Sequence, residues 1–311
     1  MKGTILITDS LFIFPEHEKM LRAAGYEIER LDKPEASEEE LVAAVEGRVG
    51  YILGGIEHVT EKVIAAASAL KAIVFTGSDW RHFIPGNEAA TARGIAIANA
   101  PGANSYAVAE YTLTLMLAMV RNILTLGKTG DKKFMTSLSL REATVGIIGA
   151  GHIGKMLASM LKGLGVKEIL YYSRQQHTDV EKESGATFVS LNELLERSDI
   201  VTIHVPKSAG NGFIGAEEMK RMKDGTILIN CAFAGAIEAE ALYAELSAGR
   251  LRAAQDEPVD ERFNALPLSV WFNSNSGTAF NTSEANTKAS DMATQSILNL
   301  LEKGEDQYKV N

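Results

Sequence analysis

TVGIIGAGHIGKMLASML, Thr144 to Leu161, is the stretch that decides the fold. An apolar run ends in Gly149, and apolar residues then recur at helical spacing from Ile153 onward. Between them Gly149, Gly151 and Gly154 form G-x-G-x-x-G. The first glycine permits a tight strand-to-helix turn, and the second lets a pyrophosphate approach the backbone. The third lets helix and strand pack closely, so that the positive end of the helix faces the anion. The pattern is weak alone, but its place between a strand and a helix predicts a dinucleotide site.

The next strand indicates which dinucleotide. An NAD site usually ends it with Asp or Glu, about 20 residues past the glycines, on the ribose 2′-hydroxyl. Here the strand end reads YYSRQQH, with Ser173 and Arg174 in that place. A carboxylate would repel a 2′-phosphate, whereas a hydroxyl and a guanidinium hold one. NADP(H) is therefore expected, with NAD(H) as the second choice and a merely solvated Arg174 as the plain alternative.

Outward from this unit, short β-rich runs alternate with helical patterns, the mark of a parallel sheet covered by helices. Strands are expected at TILIT (Thr4), GYILG (Gly50), AIVFTG (Ala72) and IAIANA (Ile95). A long helix from about Asn104 to Leu126 follows. The series then restarts with TVGIIG, EILYYS (Glu168), DIVTIHV (Asp199), TILINC (Thr226) and RAAQD (Arg252). Two α/β domains are expected, divided near Ala100–Pro101–Gly102, with the last helical pattern, Glu284 to Leu301, returning to the first.

Composition narrows the role. The 311 residues are 46% hydrophobic and 23% charged, ordinary for a globular protein. A net charge of −9 argues against nucleic acid or an anionic membrane surface as partner. The most apolar segment, YTLTLMLAMV, runs only from Tyr111 to Val120, short of the roughly 20 residues that span a bilayer. The opening MKGTILITDSLFIF is interrupted by Asp9 and is read as a first strand, not a leader. One cysteine, Cys231, excludes an internal disulfide and fits the cytoplasm. The six histidines (17, 58, 82, 152, 177 and 204) show no ligand spacing, so no metal is expected.

With these motifs in order, the chain resembles the D-2-hydroxyacid dehydrogenase family. GGIEHVTEKVI with LKAIVFTGSD is similar to the core of that family's first domain. ARGIAIANAPGANSYAVAEYTLTLMLAMVR, Ala92 to Arg121, resembles its hinge and long helix. TVGIIGAGHIG, SDIVTIHVP, GTILINCA and the closing GEDQYKVN follow in family order. The resemblance implies two Rossmann-like, doubly wound parallel-sheet domains with a cofactor cleft between them. One would be a flavodoxin-like substrate domain, 1–100 plus 283–311, and the other a dinucleotide-binding domain, 101–282. It also implies a homodimer, and hydride transfer between nicotinamide and a small 2-oxo or 2-hydroxy acid.

Cofactor contacts are then expected at Gly149, Gly151, His152, Ile153, Gly154, Ser173, Arg174, Val205, Pro206, Cys231, Ala232 and Asp256. Substrate contacts are expected at Gly54, Gly55 and Asn104. The family's catalytic groups are an arginine on the substrate carboxylate, a histidine that gives the proton, and a glutamate that keeps the histidine protonated. Hydride addition builds an alkoxide that needs a proton, and a carboxylate needs a fork-shaped cation.

Two of the three are replaced. In NCAFAG, Asn230 keeps its place and Phe233 stands where the arginine belongs; in SNSGTA, Asn275 stands at the histidine. The glutamate is Glu261 by spacing from Asp256, or Glu257 if the loop is shortened. Phe233 holds no carboxylate, and Asn275 donates a hydrogen bond but not a proton. His204 is a candidate acid, with Lys207, His58, His82 and Tyr106 behind it. Three readings stand: an NADP(H)-dependent oxidoreductase with a rebuilt substrate site, a slow 2-oxo acid reductase, and an inactive NADP(H)-binding sensor.

Overall fold

The computed structural model describes residues 1–9, 11–33, 35–129 and 136–311. The chain divides into two compact units, residues 1–104 with 281–311, and residues 105–280.

In the first unit, five parallel strands are ordered β2-β1-β3-β4-β5: β1 (Gly3–Thr8), β2 (Tyr26–Leu31), β3 (Gly50–Leu53), β4 (Ala72–Phe75) and β5 (Ala96–Asn99). The central strands are apolar throughout because helices cover both faces. Leu6, Tyr51, Leu53, Ile73 and Phe75 share one core with Leu41, Val45, Val63 and Ile64. On β3, a side chain at Gly50 would press at 3.2 Å on Ile297 and Leu301 of the helix Ser283–Lys303. That helix also packs on β4 and β5. The free edge of β5 is bonded by Val310, whose amide donates to the Ile97 carbonyl at 2.8 Å.

The strand β2 lies outside the sequence expectation. YEIERL carries three charged side chains and reads as surface, which suits an edge strand whose face is only half covered. Arg30 makes it part of the unit: its guanidinium donates to the Asp9 carbonyl at 2.7 Å and to Glu18 at 3.0 Å.

In the second unit, seven parallel strands are ordered β12-β11-β10-β9-β6-β7-β8. They are β6 (Thr144–Ile148), β7 (Glu168–Tyr172), β8 (Thr187–Phe188), β9 (Ile200–Ile203), β10 (Ile227–Asn230), β11 (Arg252–Gln255) and β12 (Trp271–Asn273). Sequence order reverses between β6 and β9, and ligands of such sheets bind beyond the strand ends at that switch point. The long helix expected from Asn104 to Leu126 is instead two helices, Ser105–Val120 and Ile123–Thr129. Asn122 breaks it with φ +53, a left-handed conformation that asparagine tolerates. Arg252 reinforces the break, donating to the Met119 carbonyl at 2.7 Å and to Asn122 Oδ1 at 2.8 Å. Among the described residues no helix is long and apolar enough to cross a membrane.

Candidate cofactor and active site

The glycine turn leaves β6 at the switch point. Gly149 has φ +101, and a Cβ there would overlap the carbonyl of His204, whose carbon would be 2.7 Å away. A Cβ on Gly154 would overlap the Gly149 carbonyl oxygen. At Gly151 a Cβ would meet no protein atom within 4 Å. Two glycines are thus demanded by the protein's own packing, and the third borders open space. Gly151 is also the N-cap of the helix His152–Gly163, which has no side-chain cap. Its first amides, with His152 and Ile153 among them, are left for an anion. A glycine bordering open space beside an uncapped helix end is what a pyrophosphate needs, so these residues fit a dinucleotide.

At the end of β7, Ser173 donates its hydroxyl proton to the Gln175 carbonyl, and Arg174 is exposed with no ion pair among the described residues. Two carboxylates of the following helix are engaged elsewhere: Asp179 pairs with Lys155, and Glu181 accepts from Tyr171 and Gln176.

At the end of β9, the His204 amide donates to the Ile148 carbonyl at 2.7 Å and ties the two switch-point strands together. Its ring Nε2 meets Thr202 Oγ1 at 2.9 Å, while Nδ1 is buried with no partner among the described residues. Burial pushes the imidazole down to about 4. It is therefore neutral at physiological pH and unsuited to give a proton. Val205, half-buried, and Pro206, exposed, follow it in the loop ahead of Lys207.

The ends of β10, β11 and β12 form one polar row. Asn230 is in register with Gln255, and Gln255 with Asn273. Asn230 Nδ2 donates to Gln255 Oε1 at 3.1 Å and to the Phe233 carbonyl at 2.9 Å, while its Oδ1 accepts the Ala232 amide at 3.0 Å. Gln255 and Asn273 both donate to the Glu257 carbonyl, at 3.1 and 2.9 Å. The Glu257 carboxylate accepts the Ala234 amide at 2.7 Å. This amide network fixes the segments that carry Phe233 and Asn275. It was missed in the sequence because β12 was not recognised; the only signal was an amide side chain at the end of each strand.

Within that frame Phe233 is 5% exposed and belongs to the apolar core with Ile203, Ile214 and Ile237. Cys231 is a half-buried thiol pushed up to about 12, chiefly by desolvation, with a hydrogen bond from Thr112 opposing. Asp256 is 4% exposed, and its carboxylate organises the loop ahead. It accepts from the Ser274 hydroxyl at 2.7 Å, the Thr278 amide at 3.2 Å and the Ala279 amide at 2.8 Å. Asn275 rides on this loop, exposed, with φ +58 and its amide bonded to Asn273 Oδ1. Glu261 lies apart from the row, exposed at the start of the 3-10 turn Glu261–Ala265.

In the first unit, Gly54 and Gly55 are buried at the end of β3, beside the β1/β3 switch point. Asn104 is half-buried in the turn before Ser105. Of the remaining candidate acids, His58 and His82 are exposed and meet edge to face with centroids 5.1 Å apart, and Tyr106 is exposed. Among the described residues no group of three His, Cys, Asp or Glu side chains could hold a metal.

The glycine turn on a doubly wound parallel sheet defines a dinucleotide-binding α/β protein. The model for the D-isomer specific 2-hydroxyacid dehydrogenase NAD binding domain matches residues 113–271. The D-3-phosphoglycerate dehydrogenase of Methanocaldococcus jannaschii is 34% identical over 269 residues, 83% of this chain and 49% of that protein. The glyoxylate reductase of Thermococcus litoralis is 31% identical over 271 residues, 82% of this chain and 79% of the relative. The TT0316 protein from Thermus thermophilus has a TM-score of 0.87 at 27% identity, covering 99% of this chain and 100% of that one. The chain belongs to the D-2-hydroxyacid dehydrogenase family. It spans about half the length of the D-3-phosphoglycerate dehydrogenases it matches.

Proposed function

We propose that this chain is an oxidoreductase that uses NADP(H) in preference to NAD(H) and acts on a small carbonyl or hydroxy compound. The observation that carries this reading is the uncapped helix at His152, with open space at Gly151 and none at Gly149 or Gly154. The cofactor supplies or accepts the hydride. The helix amides would hold its pyrophosphate, and Arg174 its 2′-phosphate, joined by Ser173 once its hydroxyl turns from the Gln175 carbonyl. Residues 105–280 would be the cofactor domain, and residues 1–104 with 281–311 the substrate domain.

The substrate side differs from the family mechanism. Phe233 is packed into the apolar core and leaves no cation where the family holds a carboxylate, which favours a less anionic substrate. Asn275 would offer its Nδ2 hydrogens to a carbonyl oxygen, leaving water to supply the proton. Glu257 is the better choice for the family glutamate because it joins the loops of Phe233 and Asn275, whereas Glu261 does not. A homodimer, as the resemblance implies, is part of the same proposal and is checked by sedimentation equilibrium.

One observation favours an inactive NADP(H)-binding role instead: Phe233, Asn275 and the neutral His204 cannot deliver a proton at pH 7. The deciding experiment is fluorescence titration with NADPH and NADH. The absorbance of the reduced cofactor is then followed with glyoxylate, hydroxypyruvate, pyruvate, neutral ketones and sugars. NADPH binding about tenfold tighter than NADH, with turnover of neutral carbonyls, supports the proposal. Tight binding without turnover selects the sensor, and fast turnover of 2-oxo acids overturns the altered site.

A further inference from the structure

Four residues later than the end of β3, the first unit buries a carboxyl group. Glu57 is 1% exposed, and its Oε2 has no partner among the described residues. Its Oε1 accepts from the hydroxyl of Tyr51, itself fully buried, at 2.9 Å. Tyr51 Oη lies 3.4 Å from Thr8 Oγ1, and Thr8 Oγ1 accepts the Gly54 amide at 3.2 Å. Each hydroxyl has one proton. Since Tyr51 gives its proton to Glu57, its oxygen can accept that of Thr8, for which the Ile52 carbonyl at 3.5 Å is the other acceptor. With Thr8 turned to Tyr51, the bonds run in one direction, from the Gly54 amide through Thr8 and Tyr51 to Glu57.

This chain holds a loop with little freedom of its own. A Cβ on Gly54 would stand 2.6 Å from the Thr8 carbonyl oxygen, so loop and β1 are already in close contact. Beyond Gly54, the amides of Gly55 and Ile56 have no acceptor among the described residues, although Gly55 is buried. Buried amides without acceptors are costly unless a ligand takes them. Adjacent backbone amides suit an oxygen that is negative or becomes so.

We propose that Glu57 is a positioning residue: as the last acceptor of the chain it fixes Gly54 and so aims the Gly55 and Ile56 amides at a substrate oxygen. The proposal rests on the reading that this loop takes the substrate. Desolvation raises the Glu57 carboxyl above its ordinary range and the charge of Asp9 adds to this, against the hydrogen bond from Tyr51.

The test compares wild type with Glu57→Gln, Glu57→Leu and Tyr51→Phe. Exchange of the Gly54 amide is read by 15N NMR at one fixed pH, and kcat and KM are measured with NADPH for glyoxylate and for the neutral ketone turned over fastest. Gln keeps an acceptor at Oε1 for the Tyr51 hydroxyl, so E57Q stays within about twofold of wild type in both. E57L and Y51F exchange Gly54 about tenfold faster and raise KM about tenfold, with kcat within about twofold. Y51F preserves the core ring, so it separates the hydrogen bond from packing. Unchanged Gly54 exchange in E57L and Y51F overturns the proposal, as does E57Q behaving like E57L, or a loss confined to kcat. If wild type reduces neither substrate, the exchange data still decide the chain, and the failure belongs to the proposed activity.

Discussion

Gly149 lies directly beneath the His204 carbonyl, so the glycine that begins the cofactor turn also closes the contact between β6 and β9. The two roles can be separated by comparison with Gly151. Gly149→Ala forces a side chain onto the His204 backbone at φ +101, which costs roughly 1–3 kcal/mol in strain before any overlap is relieved. Thermal unfolding should show a lowered midpoint together with weaker NADPH binding. Gly151→Ala meets no protein atom, so stability should hold within about 0.5 kcal/mol while NADPH binding falls. Equal loss of stability in both variants would contradict the assignment of Gly151 to the cofactor.

Specificity for the 2′-phosphate should reside at the end of β7. Arg174 is exposed and without an ion pair among the described residues, so Arg174→Ala removes nothing the fold uses. A charge-assisted bond to phosphate contributes about 1.5–3 kcal/mol, or roughly tenfold to a hundredfold in affinity. NADPH binding should weaken by about that factor and NADH binding should not. Ser173→Asp should add repulsion against NADPH. If neither variant alters the NADPH/NADH ratio in fluorescence titration, Arg174 is only a solvated surface residue.

The carboxylate of Glu257 should matter to stability as well as to the site. It takes the Ala234 amide at 2.7 Å, and its removal leaves that half-buried donor unpaired. Glu257→Ala should cost about 1.5–3 kcal/mol in urea unfolding, and Glu257→Gln about half of that. Glu261→Ala, at an exposed position, should change stability by less than about 0.5 kcal/mol.

These elements differ in how far the sequence revealed them. The glycine turn was legible because backbone demands restrict Gly149 and Gly154 to one residue type, and the apolar strands because helices bury both of their faces. The edge strand Tyr26–Leu31 was not legible, since its charged side chains obey solvent on one face rather than the core. The break at Asn122 was hidden because nothing in YTLTLMLAMVRNIL signals that Arg252 will take the freed Met119 carbonyl. The row Asn230, Gln255, Asn273 depends on strand register, which brings together residues far apart in sequence. Substitution at 233 and 275 could be seen by register against the family motifs; the burial of Phe233 could not.

Acid should weaken the fold through His204. The folded imidazole sits at about 4 and the unfolded one near its ordinary 6.5, so between these values the unfolded chain binds more protons. Stability is therefore complete above pH 6.5 and falls as the pH drops toward 4, by at most roughly 3 kcal/mol. His204→Gln should flatten this part of the profile in urea unfolding. Because the ring is already neutral at pH 7, the same change should leave the pH dependence of any turnover between pH 6.5 and 8 unaltered.

Restoring the family residues should succeed at one position and fail at the other. Asn275 is exposed in a left-handed conformation that histidine also tolerates, so Asn275→His should fold normally. Phe233 is packed among Ile203, Ile214 and Ile237 at 5% exposure. An arginine there either buries a charge with no partner, at a cost of several kcal/mol, or turns out and leaves a cavity costing about 3–5 kcal/mol. Phe233→Arg should thus unfold at markedly lower urea concentration than wild type. Only if it folds with wild-type stability, and gains turnover of glyoxylate or hydroxypyruvate together with Asn275→His, is the site a slowed version of the family's own. A stable Phe233→Arg without that gain would instead mean that the substrate site has been rebuilt beyond these two side chains.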